Sequence, residues 1–168
     1  MDSFMTERKL NVLFICTGNS ARSILAEGML HQLGADRFHA YSAGSHSKGA
    51  VHPLALATLK QLHFDATGFS SKSWGEFAKD GAPAMDFVIT VCDQAAGEAC
   101  PVWPGQPITA HWGLPDPAAV VGSDEVQQRA FTDTAVTLKR RIEFLLSLPL
   151  VKLEKLAIQR EVRAIGTR

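Results

Sequence analysis

Cys16-Thr17-Gly18-Asn19-Ser20-Ala21-Arg22-Ser23 follows a short apolar run, Leu10 to Ile15, and precedes residues at helical spacing. A small, polar, glycine-containing loop between a strand and a helix turns several backbone N–H groups toward one point. The helix N-terminus behind it makes that point an anion site. Arg22 adds a planar guanidinium suited to a tetrahedral oxyanion. A cysteine at the start of the loop shares the positive field, which favours thiolate over thiol. Thr17, Gly18, Asn19, Ser20, Ala21, Arg22 and Ser23 are therefore expected to bind an oxyanion above a nucleophilic Cys16. The plainer alternative makes Cys16 a buried strand-end residue and the loop a turn. Gly18, Asn19, Arg22 and Ser23, all in register with the cysteine, speak against it. The run is not a nucleotide-binding loop, which requires G-x-x-x-x-G-K-[ST].

Three further residues have chemistry in reach. Cys92 closes a β-branched, apolar stretch, Asp86 to Cys92, and Cys100 follows eight positions later in DQAAGEACP. Each alone reads equally well as a passive buried thiol. Beside a reactive Cys16 the pair suggests thiol–disulfide exchange. A zinc site built from the three cysteines and a histidine is the competing idea, but the spacings lack the tight C-x₂₋₄-C hook of structural zinc. No metal is expected. Asp116, in Leu114-Pro115-Asp116-Pro117, is held between prolines and could act as a general acid over the anion. Its alternative is a turn or N-cap aspartate. His111 and Trp112 read as packing beneath that loop.

These residues need a scaffold that gathers them. Leu10 to Ile15, Arg37 to Ser42, Asp86 to Cys92 and Pro107 to Trp112 read as strands. Leu25, Met29 and Leu33, stopped by Gly34, read as one helix, and a segment opening at Pro53 as another. Ser123 caps a long helix with the stripe Phe131, Ala135, Leu138, Ile142 and Leu145, ended or kinked by Pro149. Leu150 to Ile165 reads as a last helix, with Lys152, Lys155, Arg160 and Arg163 on a solvated face. Alternating buried strands and helices imply a parallel sheet covered on both faces, with ligands bound beyond the carboxyl ends of the strands. Cys16, Cys92 and Asp116 all follow strands and belong on that edge.

The 168 residues suffice for one domain, and 46% apolar with 20% charged residues is the balance of a soluble globular chain. Seventeen basic and seventeen acidic residues cancel, which argues against nucleic-acid or membrane-surface binding driven by bulk charge. No apolar run is long enough to span a bilayer. Three cysteines and no secretory signal point to a reducing cytoplasm rather than a disulfide scaffold.

C-T-G-N-S-A-R-S after a first strand resembles the phosphate-binding loop of low-molecular-weight protein tyrosine phosphatases and, more closely, that of the arsenate reductases built on the same fold. Tyr41-Ser42-Ala43-Gly44, Val91-Cys92, Cys100-Pro101, His111-Trp112-Gly113 and Asp116-Pro117 extend the resemblance over about residues 10 to 147. It implies a flavodoxin-like, three-layer α/β fold with a four-stranded parallel sheet over residues 1–148, followed by a helical extension over 149–168. It further implies Cys16 as nucleophile, Arg22 and the loop amides as oxyanion ligands, Asp116 as general acid, and Cys92 and Cys100 as a redox pair. The reaction is then reduction of arsenate to arsenite, with phosphate and sulfate as analogues. No bound cofactor is expected; an external thiol reductant, thioredoxin or glutaredoxin with glutathione, closes the cycle. The sequence departs from the pattern in places. Ala21 replaces a second, non-nucleophilic cysteine of the phosphatase loop. Seven residues separate Cys92 from Cys100, one more than in the thioredoxin-coupled reductases. Asn19, Glu27 and Ser42 match a potassium site found in some of them, but Ser70-Ser71-Lys72-Ser73 lacks its aspartate. The alternative activity is a phosphotyrosine phosphatase, but Ala118 and Ala119 follow Asp-Pro where such enzymes carry tyrosines. A non-catalytic oxyanion-binding module would leave Cys16 and Asp116 unexplained.

Overall fold

The computed structural model of the chain describes residues 8–92, 103 and 106–168. Four parallel strands, β1 (Leu10–Cys16), β2 (Phe38–Gly44), β3 (Phe87–Thr90) and β4 (Ile108–His111), form one sheet in the order β2-β1-β3-β4. Helices α1 (Arg22–Leu33) and α2 (Pro53–Gln61) follow β1 and β2; α3 (Asp124–Ser147) and α4 (Lys155–Ile165) end the chain. All four residues of β3 and six of the seven in β1 are buried. Successive side chains of a strand point to opposite faces, so an unbroken buried run means that both faces are covered, as in flavodoxin-like α/β folds.

The strand edges differ from the sequence reading by a few residues, for physical reasons. β2 runs on to Gly44 because Cys16 pairs with Gly44 in the parallel ladder. A Cβ on Gly44 would lie 2.6 Å from Thr17 O and 2.9 Å from Asn19 N, so glycine is what lets β2 end against the Cys16 loop. β3 starts after Asp86, whose carboxylate is occupied elsewhere. It accepts two bonds from the Arg8 guanidinium, at 2.9 and 2.6 Å, and one from Asn11 N at 2.8 Å, clamping the start of β1 to that of β3. Leu33, placed on the inner face of α1 by its spacing, is 36% exposed, because the helix buries Ile24, Leu25, Met29 and Leu30 instead.

The tail is not one helix. Pro149 ends α3, Leu150–Lys152 make a 3-10 turn, and α4 starts only at Lys155. Lys152, Lys155, Arg160 and Arg163 are exposed as read, yet the opposite stripe, Ile158, Val162 and Ile165, is buried. It packs on β4, where Val162 O accepts the indole N–H of Trp112 at 2.9 Å and Arg163 Nε donates to Thr109 O at 3.0 Å. Burying three such side chains stabilises the docked helix by roughly 1.5–3 kcal/mol each. Trp112 is wholly buried, whereas His111 is exposed and bonds Thr90 Oγ1 through Nδ1 at 2.8 Å. His111 therefore does not pack beneath the Asp116 loop: alternation along β4 sends neighbouring side chains to opposite faces. Among the described residues no helix is long and apolar enough to cross a membrane.

Candidate active site

Parallel strands deliver Cys16, Gly44 and Cys92 to one edge of the sheet. α1 begins at Arg22 with no side-chain cap on Ala21 and no acidic residue in its first turn. Its first N–H groups therefore lack the partners that a capping side chain supplies, an arrangement that favours an anion. A cavity of about 220 Å³ opens there, lined by Cys16, Thr17, Gly18, Ser20, Ala21 and Arg22, with Asp116, His46 and Lys48 completing its wall. A larger groove, about 1020 Å³, lies between α2 and α3 and holds neither a nucleophile nor the Cys16 loop.

Cys16 is 3% exposed, and its Sγ lies 2.9 Å from Ser23 Oγ. Asn19 sits beneath the loop, fully buried, with φ of 46°, a left-handed conformation that asparagine tolerates better than most residues. Its Oδ1 accepts Lys72 N at 2.8 Å, which fixes the amide orientation, and its Nδ2 donates to Ser23 Oγ at 2.8 Å and Ser42 Oγ at 3.0 Å. Ser42 in turn donates a short hydrogen bond to Glu27. Burial pushes the Glu27 carboxyl above the usual range, against the opposing pull of the Ser42 hydrogen bond and the charges of Lys72 and His31. Asn19 and Ser23, read from sequence among the oxyanion ligands, thus turn their side chains into this buried network and do not line the cavity.

Arg22 reaches across to the loop after β4. Its Nη1 donates to Leu114 O at 2.8 Å, and its Nη2 lies 3.9 Å from Asp116 Oδ2. Asp116 caps the turn that follows it and also borders the cavity. Oδ1 accepts Ala118 N at 3.0 Å and caps the 3-10 turn Pro117–Ala119, while the second oxygen faces Arg22 and the cavity. Cys92 is 2% exposed, with its Sγ 3.3 Å from Thr17 Oγ1, one residue from Cys16. Cys100 lies outside the described residues. Among the described residues no three His, Cys, Asp or Glu side chains are grouped to hold a metal ion.

Residues 11–162 match the low molecular weight phosphotyrosine protein phosphatase family. The chain belongs to that family. Within this phosphatase family its sequence is 34% identical over 132 residues to an arsenate reductase of Halalkalibacterium halodurans, covering 79% of this chain and 91% of the relative. Its fold matches an arsenate reductase in the phosphate binding state with a TM-score of 0.66 and 32% identity, covering 82% of this chain and 97% of the other. A thioredoxin-dependent arsenate reductase of Corynebacterium glutamicum matches with a TM-score of 0.62 and 27% identity, over 84% of this chain and 62% of that one.

The sequence reading missed His46 and Lys48. The signal was available: both follow β2, and the rule that sends ligands to the carboxyl edge applies to β2 as it does to β1. The loop they occupy is zipped to the Cys16 loop by Ser45 N to Cys16 O at 3.2 Å, His46 N to Thr17 O at 2.8 Å and Lys48 N to Gly18 O at 2.9 Å.

Proposed function

We propose that the chain reduces arsenate to arsenite in the cytoplasm by a thiol cascade. The observation that carries this reading is Cys92, a second buried thiol held against Thr17 beside the nucleophile. Hydrolysis of a phosphate ester has no use for it. The loop amides and Arg22 bind arsenate, which shares the shape and charge of phosphate. The Cys16 thiolate attacks arsenic(V), an S–As bond forms, and one oxygen leaves as water with a proton from Asp116. The Cys92 thiolate then attacks Cys16 Sγ. A disulfide forms, the S–As electron pair remains on arsenic, and arsenite departs reduced by two electrons. Cys100 takes the disulfide onto Cys92–Cys100 and frees Cys16, and an external thiol donor of the thioredoxin type returns two electrons. The relatives named arsenate reductase support the substrate, and the thioredoxin-dependent one supports the reductant. Among the described residues no Phe, Tyr or Trp lines the cavity, which disfavours an aryl ester as substrate.

The test is arsenate-dependent NADPH oxidation coupled through thioredoxin and thioredoxin reductase, run beside a glutaredoxin–glutathione system. Sustained oxidation with thioredoxin is expected. Failure of both systems, with the protein folded, contradicts the proposal.

A further inference from the structure

Lys48 is an exposed lysine built into the cavity rather than scattered on the surface. Its backbone N donates to Gly18 O at 2.9 Å, and Ser71 Oγ donates to the same carbonyl at 3.1 Å. Both chain neighbours are tied to Ser71: Ser47 Oγ lies 2.8 Å from Ser71 Oγ, and Gly49 N donates to it at 3.1 Å. Gly49 has φ of +78°, a left-handed turn suited to glycine. The lysine stem then crosses over Gly18. A Cβ built on Gly18 would meet Lys48 Cγ and Cε at 3.1 Å and Cδ at 3.2 Å. Three successive carbons of the stem therefore lie on the Cys16 loop, and the side chain with its terminal ammonium forms part of the cavity wall. Among the described residues that ammonium has no hydrogen-bond or ion-pair partner.

Resting on the reading of the Cys16 loop as an oxyanion site, we propose that Lys48 is a specificity-determining residue that selects free tetrahedral dianions over their esters. In-line attack by Cys16 requires the departing oxygen to point away from the sulfur, toward the rim. The other three oxygens face the loop amides and Arg22. In a free oxyanion the outward oxygen is terminal and carries charge or a proton, so an ammonium at the rim can donate to it. In an ester that oxygen bridges to carbon, bears little charge, and its organic group competes with the lysine for the rim.

The experiment measures calorimetric affinity for sulfate and for phenylphosphonate, a non-hydrolysable ester mimic, at mildly alkaline pH where both are dianions. Wild type, Lys48→Gln and Lys48→Arg are compared. Lys48→Gln is expected to weaken sulfate binding about fivefold, the scale of a solvent-exposed charge contact, and phenylphosphonate less than twofold. Lys48→Arg should hold sulfate within about twofold of wild type. The arsenate KM should rise in parallel with the sulfate Kd. Equal weakening of both ligands would mean that Lys48 only shapes the Gly18 loop, and no weakening of either would mean that it is a bystander; each overturns the proposal. A wild type that binds no sulfate overturns the oxyanion site and this proposal together. A wild type that binds sulfate but reduces no arsenate overturns the function alone, and the affinities still decide the role of Lys48.

Discussion

The two hydrogens on Asn19 Nδ2 go to Ser23 Oγ and Ser42 Oγ, at 2.8 and 3.0 Å. Each serine oxygen thereby accepts, which leaves its own hydrogen for another partner: Ser42 donates to Glu27, and Ser23 Oγ lies 2.9 Å from Cys16 Sγ, within reach to donate to it. One buried amide thus orders the two hydroxyls so that Ser23 can donate to the Cys16 sulfur. A hydrogen bond to a charged acceptor is worth about 1.5–3 kcal/mol, and loss of that support is roughly a ten- to hundredfold change in rate. Ser23→Ala should accordingly lower kcat/KM for arsenate by about that factor with the fold kept, checked by steady-state kinetics beside circular dichroism. Activity within twofold of wild type would show that the bond does not assist the nucleophile. The strand, the Cys16–Ser23 loop and the helix that starts at Arg22 were legible in the sequence because they are contiguous in the chain. Ser42 and Glu27, named only through the family likeness, reach Cys16 through Asn19 and Ser23, across separations of 23 and 15 residues that spacing cannot reveal.

At the scale of elements, β1, α1 and β2 hold this network between them, and Glu27 is its titratable member. Burial raises its folded-state carboxyl above the ordinary value of 4.5. The native protein therefore holds that proton more tightly than the unfolded chain does. The Glu27 contribution to stability is greatest below about pH 4.5, declines as pH rises toward the folded value, and is constant above it. Glu27→Gln removes the titration. The stability of the variant relative to wild type should increase as pH is raised from 4.5 to neutrality, measured by chemical denaturation at several pH values. A relative stability that falls over the same range would contradict the buried carboxyl. The order of elements was legible because buried runs and helical stripes are local patterns. Their ends were less so: Asp86, apolar in its surroundings by position, leaves β3 to serve Arg8 and Asn11, a partnership made across 78 and 75 residues.

At the scale of the molecule, parallel pairing gathers the Cys16 loop, the β2 loop, Cys92 and the Asp116 loop on one edge, and the C-terminal segment braces the sheet from β4. Buried Arg141 links the two, donating to Gly113 O at 3.3 Å and to Arg168 O at 3.2 Å. Gly166 is where the tail comes nearest: a Cβ there would lie 2.2 Å from His111 O. Its φ of −62° is open to any residue, so the constraint is contact alone. Gly166→Ala should destabilise the protein by about 1–3 kcal/mol in urea unfolding, since overpacking a tight contact forces backbone shifts; a variant as stable as wild type would show a loosely docked tail. In the proposed cascade Cys16 and Cys92 together supply the two electrons that arsenate receives. The direct measurement is arsenite released per enzyme when fully reduced protein meets arsenate with no external thiol, with mass spectrometry of the oxidised peptides. Wild type should release about one arsenite and hold one disulfide, and Cys92→Ser should release essentially none. Stoichiometric arsenite from Cys92→Ser under those conditions would contradict a shared two-cysteine reduction.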